Sequence, residues 1–144
     1  MEMKTLLQNM LPQSLDDIIR LHRDEARLYL STPEQIKDLS RAIVGMDLDG
    51  AKDTLEGWYL ITLDAGAVGK KIMLLGDGLR NRAPWITSAV KAVDLGAGFA
   101  VTHNSTYKLG TPGEGEPSQH LLIQVCAYFT PSIQQHFGIP AFFF

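Results

Sequence analysis

Hydrogen-bonding side chains crowd one stretch of the chain, Thr102-His103-Asn104-Ser105-Thr106, with Asp94 shortly upstream. An imidazole, hydroxyls and a carboxylate are the residue types of a hydrolase, where a base activates a nucleophile and an acid orients the base. The spacing argues for less. On one strand, His103 and Ser105 share a face but stand about 7 Å apart along it. That geometry supports binding at least as well as proton transfer, so His103, Asn104 and Ser105 are read as a candidate polar contact site. The remaining histidines, His22, His120 and His136, form no HxxxH or HExxH pattern and no Cys–His pair at ligand spacing. No metal or cofactor is expected. Cys126 is the only cysteine and lies in an apolar run. It reads as a core residue, and as a nucleophile only if a base reaches it from elsewhere.

Two glycine-bearing stretches resemble nucleotide motifs only in part. In Gly66–Lys71 two residues separate the glycines, Lys71 stands where a phosphate loop needs a hydroxyl, and a strand follows instead of a helix. A hairpin turn accounts for it. Gly76-Asp77-Gly78 is too short for a dinucleotide fingerprint and reads as a β-turn. Asp47, Asp49, Gly50 and Asp53 faintly resemble a calcium loop, but the glycine comes too early.

Charge separates along the chain. Residues 1–57 carry 7 Lys/Arg against 11 Asp/Glu, and residues 58–144 carry 6 against 5, within a net charge of −3. Nothing global calls for nucleic acid or an anionic membrane. Two local sets stand out. Asp16, Asp17, Asp24, Glu25, Asp38 and Asp47 make the N-terminal third acidic and are candidates for contact with a basic partner. Lys70, Lys71, Arg80 and Arg82 sit in neighbouring loops and Trp85 follows. Cations beside an exposed aromatic can track a single-stranded backbone and stack a base.

The elements that must position these residues follow from periodicity. Residues 3–11 suggest a short helix ended by Pro12. Ser14 is an N-cap followed by Asp16 and Asp17, and Leu15, Ile18, Ile19, His22, Ala26 and Tyr29 recur at helical spacing. Thr32-Pro33-Glu34-Gln35 signals a second start with a capping box, and Gly45 a stop. The short link at Ser31 makes the two helices an αα-hairpin. From Trp58 the texture turns to β. Residues 58–63, 71–75, 85–95 with a bulge near Ser88, 99–102 and 106–109 read as short strands joined by tight turns. Consecutive strands without helices between them pair antiparallel. Gly110–Pro117 is a loop. Ser118–Phe129 satisfies a helical face and also alternates as a strand, so both readings stay open. Thr130-Pro131 starts a last short helix, and Phe142-Phe143-Phe144 ends the chain as a core closure or an adhesive patch. The expected fold is a single α+β domain over 1–144. It has a helical part (1–57), an antiparallel meander or small partly closed β-barrel (58–117), and a C-terminal helical part (118–144).

The lone cysteine fits a reducing compartment, and the N-terminal residues MEMKTLLQNMLPQS are too polar for a secretory signal. No apolar run reaches the length of a membrane span. A cytoplasmic protein without a membrane partner is expected.

Ile86-Thr87-Ser88-x-Val90, Thr102-x-Asn104-Ser105-x-Tyr107-x-Leu109-Gly110 and Pro112-Gly113-x-Gly115-Glu116-Pro117 together resemble small uncharacterised proteins of bacterial genomes and their phages. The resemblance covers roughly the C-terminal half and carries no known active residues. It implies a prophage or mobile-element setting, in which small acidic proteins block host defence machines as anti-CRISPR proteins do. The leading expectation is therefore a non-enzymatic protein-binding module, an inhibitor of a bacterial defence complex acting by occlusion through the acidic set, with a homodimer also open. A single-stranded nucleic-acid-binding barrel and a small hydrolase using His103 or Cys126 are the alternatives.

Overall fold

The computed structural model describes residues 14–19, 24, 26–42, 50–80, 82–103 and 105–137. In order these form α1 (Leu15–Ile18), β1 (Arg27–Leu30), α2 (Pro33–Arg41) and β2 (Asp53–Asp64). A 3-10 turn at Gly66–Val68 follows, then β3 (Lys70–Gly78), β4 (Ala83–Asp94), β5 (Phe99–Thr102), β6 (Thr106–Leu109) and α3 (Gln119–Phe137).

Strands β2 to β6 are successive antiparallel neighbours, and β6 returns to β2 to close a five-stranded barrel. Closure is parallel, pairing Asp53–Leu55 with Tyr107–Leu109. It has to be: in an up-and-down meander of five strands the first and last run the same way. Twelve-residue β2 serves two neighbours on one edge. Its first residues pair with β6 and its last, Ile61–Asp64, pair with β1. An irregularity at Glu56–Tyr59 lets it turn from one to the other.

Two cores follow from this layout. Leu55, Leu60, Leu74, Val90, Val93, Ala100 and Tyr107 fill the barrel, with Ile36 and Leu39 of α2 packed against them. Outside, Ile61, Leu63, Met73, Leu75 and Ile86 are covered by α1, Leu28 and the face of α3 bearing Leu121, Leu122, Val125 and Cys126. Strands β2 and β3 are thus buried on both faces, which is why their sequences read as continuous apolar runs rather than as alternation.

The capping box forms as expected. Thr32 Oγ1 accepts from the Gln35 backbone N–H at 3.2 Å and Gln35 Oε1 accepts from the Thr32 N–H at 2.9 Å. The same Gln35 accepts from the hydroxyl of fully buried Thr62 and donates to Tyr29 Oη, fastening α2 to β1 and β2. The bulge expected near Ser88 is present, since Thr87 and Ser88 together oppose Leu74 alone, and Thr87 Oγ1 accepts from the Leu74 N–H at 3.1 Å.

Other expectations are corrected. The helix expected from Ser14 to Tyr29 is only four residues long, and Arg27–Leu30 is a strand. The expected αα-hairpin across Ser31 is replaced by a strand followed by a helix: Leu28 is spaced for a helical face but fills the outer core equally well as an alternating strand residue, and the edge of β2 supplies its backbone partners. Strand β2 begins at Asp53, not Trp58. Gly76-Asp77-Gly78 lies inside β3 rather than in a turn. Gly76 is needed there because a Cβ would stand 3.1 Å from the Glu56 carbonyl oxygen and 3.2 Å from Trp58 Cα. Residues 119–137 form one helix that continues through Thr130-Pro131, which settles the helix-or-strand alternative and replaces the expected restart. The loop Gly110–Pro117 lies along β2: Gly57 N–H donates to the Thr111 carbonyl at 2.7 Å, Gly113 N–H to the Trp58 carbonyl at 2.9 Å, and Trp58 Nε1 to the Gly110 carbonyl at 3.0 Å. The helix expected at 3–11, the stop at Gly45 and the Phe142–Phe144 tail lie outside the described residues.

Candidate cationic–aromatic site at one barrel end

Closing the barrel gathers the start of β2, the exit from β3, the entry to β4 and the start of β6 at one end. Lys52, Asp53, Arg80, Trp85 and Tyr107 line a pocket of about 70 Å³ there. Each is placed by local structure. The Lys52 N–H donates to the Thr106 carbonyl at 2.7 Å, which sets the residue before β2 against β6. Asp53 Oδ1 accepts from the backbone N–H of Thr54 at 2.7 Å and of Arg80 at 3.1 Å, so one carboxylate holds the turn after β3. Gly78 makes room for it, since a Cβ there would lie 2.7 Å from Asp53 Oδ2. Leu79 N–H donates to the Thr54 carbonyl at 3.0 Å, and Arg82, at φ 50°, completes the turn into β4.

Trp85 stands opposite Gly76 and is 39% exposed. Its Nε1 donates to Tyr107 Oη at 3.2 Å, and Tyr107 is itself buried among the barrel side chains. The Lys52 ammonium lies 5.5 Å from the Trp85 ring centroid, a cation–π distance. Among the described residues no carboxylate forms an ion pair with the side chain of Lys52 or Arg80. The pocket therefore offers two cationic side chains and an aromatic face, with the Asp53 charge engaged by backbone donors.

The five residues grouped as cationic and aromatic in sequence are divided. Arg80 and Trp85 share this pocket. Lys70 and Lys71 lie at the other end of β3, roughly 25 Å away at strand rise. There Lys70 approaches Asp64 at 3.7 Å, and Lys71 donates to Tyr128 Oη at 3.3 Å with its ammonium 5.5 Å from that ring. With Lys91, Gln35, Asp38 and Leu39 they line a shallow groove of about 400 Å³ between α2 and the barrel. Arg82 is exposed in the turn. Lys52 and Tyr107 were missed in sequence. Their only signal is register: Asp53 faces Tyr107 across a parallel pair that links strands over fifty residues apart.

Of the acidic set, Asp16, Asp17, Asp24 and Asp38 are among the described residues. Arg27 grips Asp16 Oδ1 with Nε and Nη2 at 3.2 and 3.1 Å, and Arg41 approaches Asp38 at 3.3 Å. The Asp17 N–H caps on Ser14 Oγ at 3.2 Å and Asp24 is exposed. Glu25 and Asp47 lie outside the described residues, as does Asn104. His103 and Ser105 do not share a strand. They belong to the turn between β5 and β6, where Ser105 N–H donates to Thr102 Oγ1 at 3.1 Å and His103 is exposed. Cys126 is buried in the outer core, and burial, with a smaller contribution from Asp17, pushes its thiol up to about 11. That keeps it protonated and non-nucleophilic. Gly66–Lys71 is a 3-10 turn leading into β3, as the hairpin reading required. Asp47 and Asp49 of the calcium-like stretch lie outside the described residues, and among the described residues no three His, Cys, Asp or Glu side chains are placed to hold a metal. No described helix is long and apolar enough to cross a membrane.

No protein-family model, curated protein or solved structure matches the chain.

Proposed function

We propose that the barrel is a binding module whose cationic end takes single-stranded nucleic acid. The observation that supports this reading most directly is the Trp85 ring, pinned by Tyr107 and flanked by the Lys52 ammonium, in one pocket with Arg80. An indole held at its edge keeps a face for a base, and two cations beside it neutralise the adjoining phosphates. Stacking of this kind contributes about 1–3 kcal/mol per base and tolerates any sequence.

The alternative of a defence-complex inhibitor working through an acidic surface rests on six carboxylates and on the resemblance of the C-terminal half. Two of those carboxylates, Asp16 and Asp38, share their charge with Arg27 and Arg41, which favours the cationic end as the working face. A protein partner would then meet the same barrel by another face.

Fluorescence anisotropy with labelled oligo-dT and oligo-U at low and moderate salt tests the proposal. Binding that weakens steeply with salt and is lost in Trp85→Ala supports it. No binding at low salt, or equal binding by Trp85→Ala, overturns it.

A further inference from the structure

A second cluster lies away from the barrel end, where the 110–117 loop hands over to α3. Ser118 precedes the helix, and its carbonyl accepts from the N–H groups of Leu121 and Leu122, both at 3.0 Å. Its side chain turns instead to His120: Ser118 Oγ lies 2.8 Å from Nδ1. The other ring nitrogen, Nε2, lies 3.0 and 3.3 Å from the two carboxylate oxygens of Asp77 on β3. A carboxylate only accepts, so in the neutral ring Nε2 carries the proton and Nδ1 is left as a lone pair. The hydroxyl must then be the donor to Nδ1. The chain of bonds runs one way, from Ser118 O–H to His120 to Asp77, with the tautomer set by the carboxylate.

We propose that Ser118, His120 and Asp77 form an acyl-transfer site for small carboxylic esters. The roles follow from the bonds. Ser118 Oγ attacks the ester carbonyl carbon while its proton passes to His120 Nδ1, and Asp77 steadies the imidazolium. The carbonyl–alkoxy bond breaks as Nδ1 returns the proton to the leaving oxygen, which departs as the alcohol. Water then attacks the acyl-serine, giving its proton to Nδ1. The acid leaves as the Oγ–acyl bond breaks and Ser118 regains its proton. The N–H groups of Gln119 and His120 open the first turn of α3 and have no intrahelical acceptor, so they are donors available to a developing oxyanion.

The surroundings narrow the substrate. His120 and Asp77 side chains are 53% and 43% exposed, so the site is open rather than enclosed. Exposed Glu114 and Glu116 lie just upstream. Their backbone carbonyls accept from Tyr59 Oη at 2.9 and 3.4 Å, which holds this acidic stretch of the loop ahead of Ser118. Anionic esters are disfavoured, and neutral or cationic ones fit.

The test treats the whole chain with p-nitrophenyl acetate and, separately, with a fluorophosphonate probe, following nitrophenolate release and mapping the modified residue by peptide mass spectrometry. The expected result is modification at Ser118, absent in Ser118→Ala and slowed at least about tenfold in His120→Gln and in Asp77→Asn. Modification elsewhere, labelling of the native chain no faster than of the urea-unfolded chain, or an unchanged rate in His120→Gln overturns the proposal. Circular dichroism of each variant establishes that it is folded, and Ser118→Cys, which keeps a nucleophile at the position, is expected to be acylated where Ser118→Ala is not.

Discussion

Trp85 and Tyr107, from the first and last strands of the β4–β6 meander, are joined by one hydrogen bond of 3.2 Å at the mouth of the barrel. Tyr107 is buried and Trp85 half-exposed, so the bond ties the surface ring to the interior. It fixes the indole edge and leaves its face to be covered by Lys52 or by a ligand.

Removing the cations beside that ring should weaken binding through electrostatics alone. Lys52→Ala and Arg80→Ala are each expected to flatten the salt dependence of oligonucleotide affinity, by roughly 0.7 in the logarithmic slope for each phosphate that is no longer neutralised. Anisotropy titrations at several salt concentrations measure this. Lys70→Ala, at the far end of β3, should leave the slope unchanged.

Tyr107→Phe keeps the ring in the barrel and deletes the acceptor for Trp85 Nε1. Because half-exposed Trp85 can turn to water, the cost to stability should be about 1 kcal/mol. Chemical denaturation measures that cost. The tryptophan emission should shift as the indole loses its anchor, and oligonucleotide affinity should fall with it.

Gly78→Ala places a methyl carbon 2.7 Å from Asp53 Oδ2. The carboxylate must move, releasing the N–H of Arg80 and the turn it holds. A loss of about 1–3 kcal/mol in unfolding free energy is expected, with weaker oligonucleotide binding. Asp53→Asn keeps an acceptor oxygen and should cost less.

Burial holds the Cys126 thiol protonated to about pH 11, against an ordinary value of 9.0. Between these values the unfolded chain gives up its proton while the native chain retains it. Stability should therefore decline as pH rises from about 9 to about 11 and be indifferent to this group below that window. Equilibrium unfolding of the wild type and of Cys126→Ala across that range separates this contribution from others. Iodoacetamide at pH 8 should modify the native chain far more slowly than the unfolded one.

Much of the architecture was legible in sequence because it is local. Thr32-Pro33-Glu34-Gln35 determined its own helix start, since every partner in the capping box lies within four residues. The bulge near Ser88 and the turn at Gly66–Val68 were likewise written in adjacent residue types, whereas Gly76-Asp77-Gly78 looked like a turn and is strand. The helix expected at Ser14–Tyr29 failed because Leu28 satisfies helical spacing and strand alternation alike, and only the edge of β2 decides between them. Strand β2 was cut short at its start because Asp53–Gly57 look like a polar link until β6 is laid beside them.

The candidate sites were less legible for the same reason. Trp85 and Arg80 were visible as types, but Lys52 and Tyr107 join them only when parallel pairing of β2 with β6 closes the barrel. Lys70 and Lys71, near in sequence, are carried away by the length of β3. His120 showed no partner in sequence because Asp77 lies more than forty residues upstream and comes within 3.0 Å only where α3 packs beside β3. Composition, turn chemistry and apolar periodicity determined a mixed α+β chain with a run of short strands. Which cations meet which ring was decided by strand register, and which carboxylate meets which imidazole by the packing of α3 beside β3, because both are set by contacts between distant segments and not by the residues on either side.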